Sequence, residues 1–284
     1  MDQAAEQGVR GTLPEGLGRA IERTADEIAA LLRGASDMGA AVPGSAWTVG
    51  EAAAHLALAN ELMADLAEGR ERPYGDGTPQ SLAAANAESL AVFGERRAEP
   101  LAAMITEQAR RCVDALAGPA DGPAPVTPLG VLERPELASY LLTHMLGHGY
   151  DLARAVRRPH MVDAERAGLC MPFMRTVMPA VANGSAVAGT TARYTIRLRG
   201  GGGAFGVSVA DGAVRVTPQP QDRPDCTILI DPVVFLLIAL GRISPWPAMA
   251  RGQVLAFGRR PWLAPRFPAL FVWKSQVARA WPES

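Results

Sequence analysis

The feature that most constrains the fold is a change in hydrophobic spacing near residue 184 of this 284-residue chain. Before that point, apolar residues recur every three or four positions, as Leu17, Ile21, Ile28 and Leu31 do in "EGLGRAIERTADEIAALLRG". After it come short, near-alternating β-branched runs: "ARYTIRLRG", "AFGVSVA", "GAVRVTP" and "DCTILID". The first spacing is typical of helices and the second of strands, so the sequence predicts an all-α domain followed by an α+β domain.

The first part of the chain reads as an antiparallel up-and-down helical bundle with one crossing helix more than the simplest case. Thr48 and Glu51 have the spacing of a capping box, which predicts a helix start there and an end near residue 69. The predicted helices cover about 15–34, 48–69, 80–95, 99–117, 134–157 and 163–182. A Pro/Gly-rich loop, "GPADGPAPVTPLG", separates two of them.

The second part reads as a small sheet covered by helices. Asp211-Gly212 between two alternating runs predicts a β-hairpin. The segments "DPVVFLLIALG" and "RPWLAPRFPALFVWKSQVARAW" are predicted to be helices packed on the sheet. With a boundary near 183–191, the predicted domains are residues 1–185 and 186–284.

Composition narrows the function classes. The formal net charge of −1 argues against a large basic surface for nucleic acid. Cys112, Cys170 and Cys226 stand alone, as expected in a reducing compartment. The N-terminus lacks a signal-peptide core, and the apolar run at 233–240 is far shorter than the ~20 residues that span a bilayer. We therefore expect a cytoplasmic protein without membrane or nucleic-acid partners.

Histidines supply the main candidate site. His144 and His148 are spaced i, i+4 in "LLTHMLGHGYD", so they share one helix face and could reach a single divalent ion. By itself such a pair is more often packed or exposed than metal-bound. His55, on the inner stripe of another predicted helix, could supply a third nitrogen and leave a position open for substrate. His160 follows a proline in a charged loop and has the character of a surface residue.

Two segments carry a resemblance to a known family. "WTVGEAAAHLA" at 47–57 resembles the tryptophan-to-histidine signature of DinB-like bundles, and "THMLGHGYDLARAV" at 143–156 resembles their later histidine-bearing helix. With the α+β segment that follows, the chain is similar to the mycothiol-dependent maleylpyruvate isomerase family of actinobacteria. In that family a metal-binding four-helix domain precedes a domain like the type 2 sterol carrier protein. High Ala, Gly and Arg content fits an actinobacterial source.

The resemblance implies that His55, His144 and His148 bind a divalent metal, with zinc preferred, and that mycothiol is the thiol co-substrate. One position departs from the pattern, because the isomerases proper have a glutamate at the place of His144. A three-histidine set is closer to the general DinB-like and thiol-S-transferase pattern. This difference weakens the prediction of the isomerase reaction more than the prediction of the metal or of the thiol.

The predicted function is a metal-dependent enzyme that activates mycothiol as a metal-bound thiolate for S-transfer or thiol exchange on a small electrophile. Three neutral imidazoles leave the charge of the ion intact, which favours deprotonation of an entering thiol. The alternatives are a cis–trans isomerase of the maleylpyruvate type, a non-catalytic carrier of a hydrophobic ligand, and a metal-dependent hydrolase. The oligomeric state is expected to be a monomer or a homodimer.

Other candidate residues lie near the ligands in sequence or carry positive charge. Tyr150 and Asp151 are the predicted acid–base residues, and Asp151 could instead support an imidazole or be a solvated charge. Glu51 is a further acid–base candidate with an ordinary capping alternative. The arginines predicted to bind anionic parts of the thiol or the substrate are Arg70, Arg251, Arg259 and Arg260, with Arg72 beside them in sequence.

Overall fold

The computed structural model describes residues 12–272, except 71, 73, 79, 80, 120–122 and 128. Its contacts divide the chain into two compact units, and the division falls between Val162 and Asp163. The first unit is helical and the second contains the main sheet. The predicted class, an all-α part followed by an α+β part, is confirmed.

The first unit is built on five long helices, each close to its predicted range. They are α1 (Leu17–Arg33), α2 (Val49–Ala67), α3 (Leu82–Val92), α4 (Ala98–Ala117) and α5 (Arg134–Ala155). The first, second, fourth and fifth pack against one another as a four-helix bundle, and α3 packs on α2. The Pro/Gly-rich segment before α5 contains a short hairpin, β1 (Val126–Thr127) with β2 (Gly130–Val131).

A capping box fixes the start of α2, as the sequence predicts. The Thr48 hydroxyl accepts from the Glu51 amide at 3.2 Å, and the Glu51 carboxylate accepts from the Thr48 amide at 2.8 Å. The amides of Thr48 and Glu51, which have no acceptor within the helix, are both hydrogen-bonded in this way. The segment just before the cap is held as well, because the Val42 amide donates to the Trp47 carbonyl at 2.9 Å. Trp47 consequently enters α2 in a fixed position.

Helix α5 runs close to its neighbours because of a glycine on its buried face. A Cβ at Gly149 would lie 2.6 Å from Met161 Sδ and 3.2 Å from the Ile28 side chain on α1. The first distance is too short for a real contact and the second is tight, so a side chain here would require Met161 and Ile28 to shift. The close approach keeps the middle of α5, where His148 lies, deep in the bundle.

The second unit has a five-stranded sheet in the order β5-β4-β3-β6-β7. The strands are β3 (Ala192–Leu198), β4 (Ala204–Ala210), β5 (Ala213–Thr217), β6 (Cys226–Ile230) and β7 (Val254–Phe257). The β3–β6 pair is parallel and the other pairs are antiparallel. Asp211 and Gly212 join β4 to β5 with φ of 52° and 73°, the left-handed pair of a type I′ turn, so the predicted hairpin is confirmed.

Short helices accompany this sheet. They are α6 (Ala164–Leu169), α7 (Met171–Val177), α8 (Gly184–Ala188), α9 (Pro232–Ala239) and α10 (Pro245–Ala250). Helix α6 contacts α9, and α7 contacts β5. The single helix predicted at 163–182 is therefore wrong: two pieces meet at Cys170, and both pack in the second unit. Because both pieces belong to the second unit, the division between the units falls after Val162, and the predicted boundary was between 185 and 186.

The predicted helix that begins at "RPWLAPRF" is also wrong within the described residues. The chain forms two 3-10 segments there, Pro261–Arg266 and Pro268–Leu270. Prolines at 261, 265 and 268 lack the amide donors that an α-helix needs. The rest of the predicted helix, beyond residue 272, lies outside the described residues. Strand β7 was not predicted, because four residues are too few for a clear alternating pattern.

Among the described residues, no helix combines the length and the hydropathy needed to cross a bilayer. The apolar run at 233–240, singled out in the sequence, forms α9 of the second unit and the residue that follows it.

Replacement of Thr48 by alanine should destabilise the first unit. The substitution removes the acceptor for the Glu51 amide, which should lower the free energy of unfolding by about 1 kcal/mol. Urea unfolding followed by far-UV circular dichroism measures the loss. Thr106→Ala is the matched control, because its hydroxyl bonds only to carbonyls of its own helix, α4. Equal losses in the two variants would contradict the capping role.

Candidate metal centre

Three of the four histidines converge inside the helical bundle. His55 comes from α2, and His144 and His148 come from successive turns of α5. Each offers a ring nitrogen, and these atoms all lie within 4.8 Å of one another. The ring centroids are 5.1, 4.9 and 4.6 Å apart. The structure thus brings together the three histidines predicted to be metal ligands.

One pair of ring nitrogens has the spacing of two ligands to a shared divalent ion. His55 Nε2 and His144 Nε2 are 3.1 Å apart. Two imidazole nitrogens bound to one tetrahedral zinc, at 2.0–2.1 Å each, lie about 3.3 Å apart. A hydrogen bond between two neutral rings has a similar length. Such a bond joins only two rings, whereas here a nitrogen of a third imidazole also lies within 4.8 Å of both, which favours a cation as the common partner.

Burial keeps His55 in the neutral form that binds metals. His55 is 3% exposed and His148 is 7% exposed. Burial lowers the pKa of His55 to about 4, so its imidazole is neutral at pH 7 and offers a lone pair. His144 is only partly buried. Solvent and small molecules therefore reach the cluster at His144.

Aromatic rings border the cluster on two sides. The Trp47 ring lies 4.8 Å from His55 and 6.1 Å from His148, measured between centroids. Tyr140 meets His144 edge-on at 6.2 Å. The tryptophan was part of the motif quoted above, but its contact with the histidines was not predicted. Tyr140 was missed, although its i, i+4, i+8 spacing with the two α5 histidines could have revealed it.

The two predicted acid–base residues differ in their positions. The Tyr150 ring lies against His160, at 5.0 Å, and under the Arg154 guanidinium. These contacts place it on a different face of α5, so they give no support to a catalytic role. Asp151 is buried one turn after His148, on the face that carries the cluster. A supporting role for Asp151 stays a prediction.

Three further candidates in the first unit are engaged in structural contacts. Glu51 caps α2, as described above. Arg70 and Arg72 both pair with Asp65 near the end of α2, at 2.7 and 2.5 Å. These pairs tie down the segment that follows α2. Binding of substrate by Arg70 remains a prediction.

The remaining three arginines lie in the second unit. Arg259 is 3.9 Å from the Asp225 carboxylate, and its side chain is 73% exposed. Arg260 donates from its backbone to the Asp225 carbonyl and from its guanidinium to the Thr191 carbonyl. Arg251 is exposed just after α10. Their role as substrate ligands stays a prediction.

The second unit also contains an apolar cavity. Its volume is about 210 Å³. The lining includes Met174, Met178, Ile196, Ile228, Phe235 and Met249. Such a cavity is what the alternative function, a non-catalytic carrier of a hydrophobic ligand, would require.

None of the three cysteines is placed to act as the thiol nucleophile. All three are buried and free of disulfides. Burial raises the pKa of Cys112 to about 12 and that of Cys226 to about 11. Both thiols are therefore protonated at pH 7 and weakly nucleophilic. Thiol chemistry in this protein would need a thiol from outside the chain.

Two family models match the chain in sequence order. Residues 19–153 match the mycothiol maleylpyruvate isomerase N-terminal domain, and residues 177–258 match the SCP-2 sterol transfer family. Together the matches cover about three quarters of the chain. The first contains all three histidines of the cluster. No functionally curated protein matches the chain.

Several solved structures match the chain at low sequence identity. The mycothiol-dependent maleylpyruvate isomerase is 15% identical, with a TM-score of 0.46 over 86% of this chain and 93% of that one. A histidine-to-alanine mutant of it is 13% identical, with a TM-score of 0.48 and the same coverage. A sec-alkylsulfatase from Pseudomonas sp. is 11% identical, with a TM-score of 0.34 over half of this chain. The chain spans about a quarter of the length of that sulfatase.

Substitution of a cluster histidine should abolish metal binding. His55→Ala or His148→Ala removes one of three ligands, so stoichiometric metal in the native protein should fall to a small fraction in either variant. Elemental analysis of protein purified without chelators measures the content. The matched control is His160→Ala, since His160 is exposed and outside the cluster. A native protein without metal, or equal metal in all variants, would contradict the site.

The chain's own thiols should be unreactive in the folded protein. At pH 8 a chromogenic disulfide reagent should label none of the three cysteines within minutes, because all three are buried and out of its reach. All three should react after denaturation in guanidinium chloride, which serves as the control. Rapid labelling of one cysteine in the native protein would show that it is available for chemistry.

Proposed function

We propose that this chain, which belongs to the mycothiol maleylpyruvate isomerase family, is a metal-dependent enzyme that uses mycothiol as its thiol co-substrate. The observation that carries the proposal is the convergence of His55, His144 and His148 within 4.8 Å. The family match over the helical unit supports the choice of thiol. The inert state of the chain's own cysteines supports a thiol brought in from outside.

His55, His144 and His148 would hold the divalent ion, for which zinc is our first choice. When bound, the ion supplies positive charge that lowers the pKa of a nearby thiol. The three imidazoles do not cancel that charge, because they bind as neutral groups. Burial of His55 and His148 excludes water from the inner side, and the partial exposure of His144 leaves one side for the thiol to enter.

S-transfer or thiol exchange on a small electrophile is the reaction we favour. The reason is His144, which stands where the resemblance leads us to expect a glutamate. A neutral ligand in that place leaves one more unit of positive charge at the site than a carboxylate would. That charge favours a thiolate as the attacking species. The second candidate is cis–trans isomerisation, which is favoured by the isomerase named in the matching family model.

Mycothiol should bind to the metal-loaded protein and not to the His148→Ala variant. Calorimetric titration measures this, with glutathione as the matched thiol. We expect at least a tenfold preference for mycothiol. Equal affinity for both thiols in native protein and variant would contradict the proposal.

The fate of the thiol separates the two reactions. S-transfer consumes one mycothiol for each product formed, and the product carries the sulfur. Isomerisation regenerates the thiol, so a catalytic amount of mycothiol converts all of a cis-configured unsaturated acid. Mass spectrometry of the thiol and product pools distinguishes them. Full recovery of free mycothiol after many turnovers would rule out S-transfer.

A carrier without chemistry is the third reading, and the apolar cavity and the SCP-2 match favour it. Such a protein would bind a hydrophobic ligand equally well with or without metal. Loss of all turnover in His144→Ala would count against the carrier reading. A cytoplasmic location and a monomeric or homodimeric state complete the proposal.

A further inference from the structure

The apolar cavity of the second unit has no part in the proposed thiol chemistry. Its described lining lies between residues 174 and 271, so the cavity belongs to the second unit alone. The sheet supplies one wall, to which Ile196, Ile228 and Val254 contribute from β3, β6 and β7. Helices α7, α9 and α10 and the two 3-10 segments supply the rest. The cavity therefore lies between the sheet and the short helices that cover it.

The chemistry of the lining defines the class of ligand. Among the described residues that line the cavity, none has a charged or hydrogen-bonding side chain. A polar atom inside would lose its hydrogen bonds to water and gain none from a side chain, which is costly. Gly241 is exposed and marks a side at which the cavity meets solvent. The cavity thus suits a hydrocarbon that enters from that side.

The volume of the cavity limits the size of the ligand. An engineered protein cavity of about 150 Å³, lined by Leu, Ile and Phe, binds benzene, which has six carbon atoms. At that ratio, the volume of about 210 Å³ holds roughly eight non-hydrogen atoms. A sterol has roughly 28 such atoms and would need roughly 700 Å³. A single ring fits this space, and a sterol does not.

Sulfur and aromatic groups in the lining favour an aromatic ring over a saturated one. The described lining includes three methionines and three phenylalanines, which are Met174, Met178, Met249, Phe235, Phe267 and Phe271. Thioether sulfurs and the edges of aromatic rings both make favourable contacts with an aromatic ring. The Phe267 ring already meets Phe271 edge-on, with 5.3 Å between centroids. An aromatic ligand extends this set of contacts, which a saturated ring of the same size cannot do.

We propose that the second unit binds a compound with a single benzene ring in this cavity and does not hold a sterol. The proposal departs from the ligand named in the SCP-2 sterol transfer family, whose model matches this unit. It goes beyond the proposed function, because it needs neither the metal nor the thiol. The chain then has two separate ligand sites, one in each unit.

The test uses toluene as the probe and the full chain as the sample. In protein labelled at the methionine methyl carbons, toluene should shift the signals of Met174, Met178 and Met249 in a saturable way. Met63 and Met145, which are buried in the helical unit, should not respond. Single Met→Leu variants assign the signals. Methylcyclohexane, which is saturated and of equal size, should bind about threefold more weakly. Cholesterol supplied from cyclodextrin should shift no signal.

Ile228→Phe tests the location of the site. The larger side chain fills part of the cavity, so the affinity for toluene should fall about tenfold. Leu229→Phe is the matched control, because the next residue along β6 faces the other side of the sheet, and its affinity should equal that of the native protein. If Ile228→Phe does not fold, Met249→Trp carries the test, since Met249 is partly exposed and has room to adjust.

Each other outcome also decides the matter. No saturable shift with toluene, or equal affinity for toluene and methylcyclohexane, would overturn the aromatic site. Cholesterol that shifts the same methionines would overturn the size limit, and equal affinities in Ile228→Phe and Leu229→Phe would place toluene elsewhere. The His148→Ala variant should bind toluene as the native protein does. Failure of the cavity site therefore leaves the proposed function standing, and loss of the metal site leaves the cavity standing.

Discussion

The contact between α2 and α5 is the constraint on which the candidate site depends. Three imidazoles lie at this contact, where burial keeps His55 neutral. Imidazole rings packed together have no strong attraction of their own, so the surrounding structure must hold them. The capping box fixes the start of α2, and the missing side chain at Gly149 lets α5 approach α1. The cluster is therefore a product of backbone placement more than of attraction between the histidines.

Much of the helical unit could be predicted from the sequence, because its signals are local. The 3–4 spacing located the helices, and the Thr48–Glu51 pair located one helix start to the residue. The histidine pair on α5 was predicted from spacing. His55 was added because it lies on an inward stripe of α2. That the three nitrogens meet depends on the packing of distant helices, which no local pattern encodes.

The failures have physical causes of the same kind. The segment after β7 forms 3-10 turns where an α-helix was predicted. Its apolar spacing is helical, but its prolines lack the amide donors that an α-helix needs. The segment at 164–177 has helical spacing, yet its packing partners belong to the sheet unit. Tyr150 is a separate case: it contacts His160 on another face of α5, and its acid–base role stays a prediction.

The sequence separation of the cluster histidines has a consequence for stability. His55 and His144 are 89 positions apart, so an ion bound to both closes a large loop of the chain. In the unfolded state that closure would be entropically costly, so an ion held by these histidines would bind the folded form more tightly than the unfolded one. Metal supply would then act as a thermodynamic control on the folded population, in the manner of a reversible cross-link. The same three side chains would couple the cell's metal pool to the lifetime of the protein.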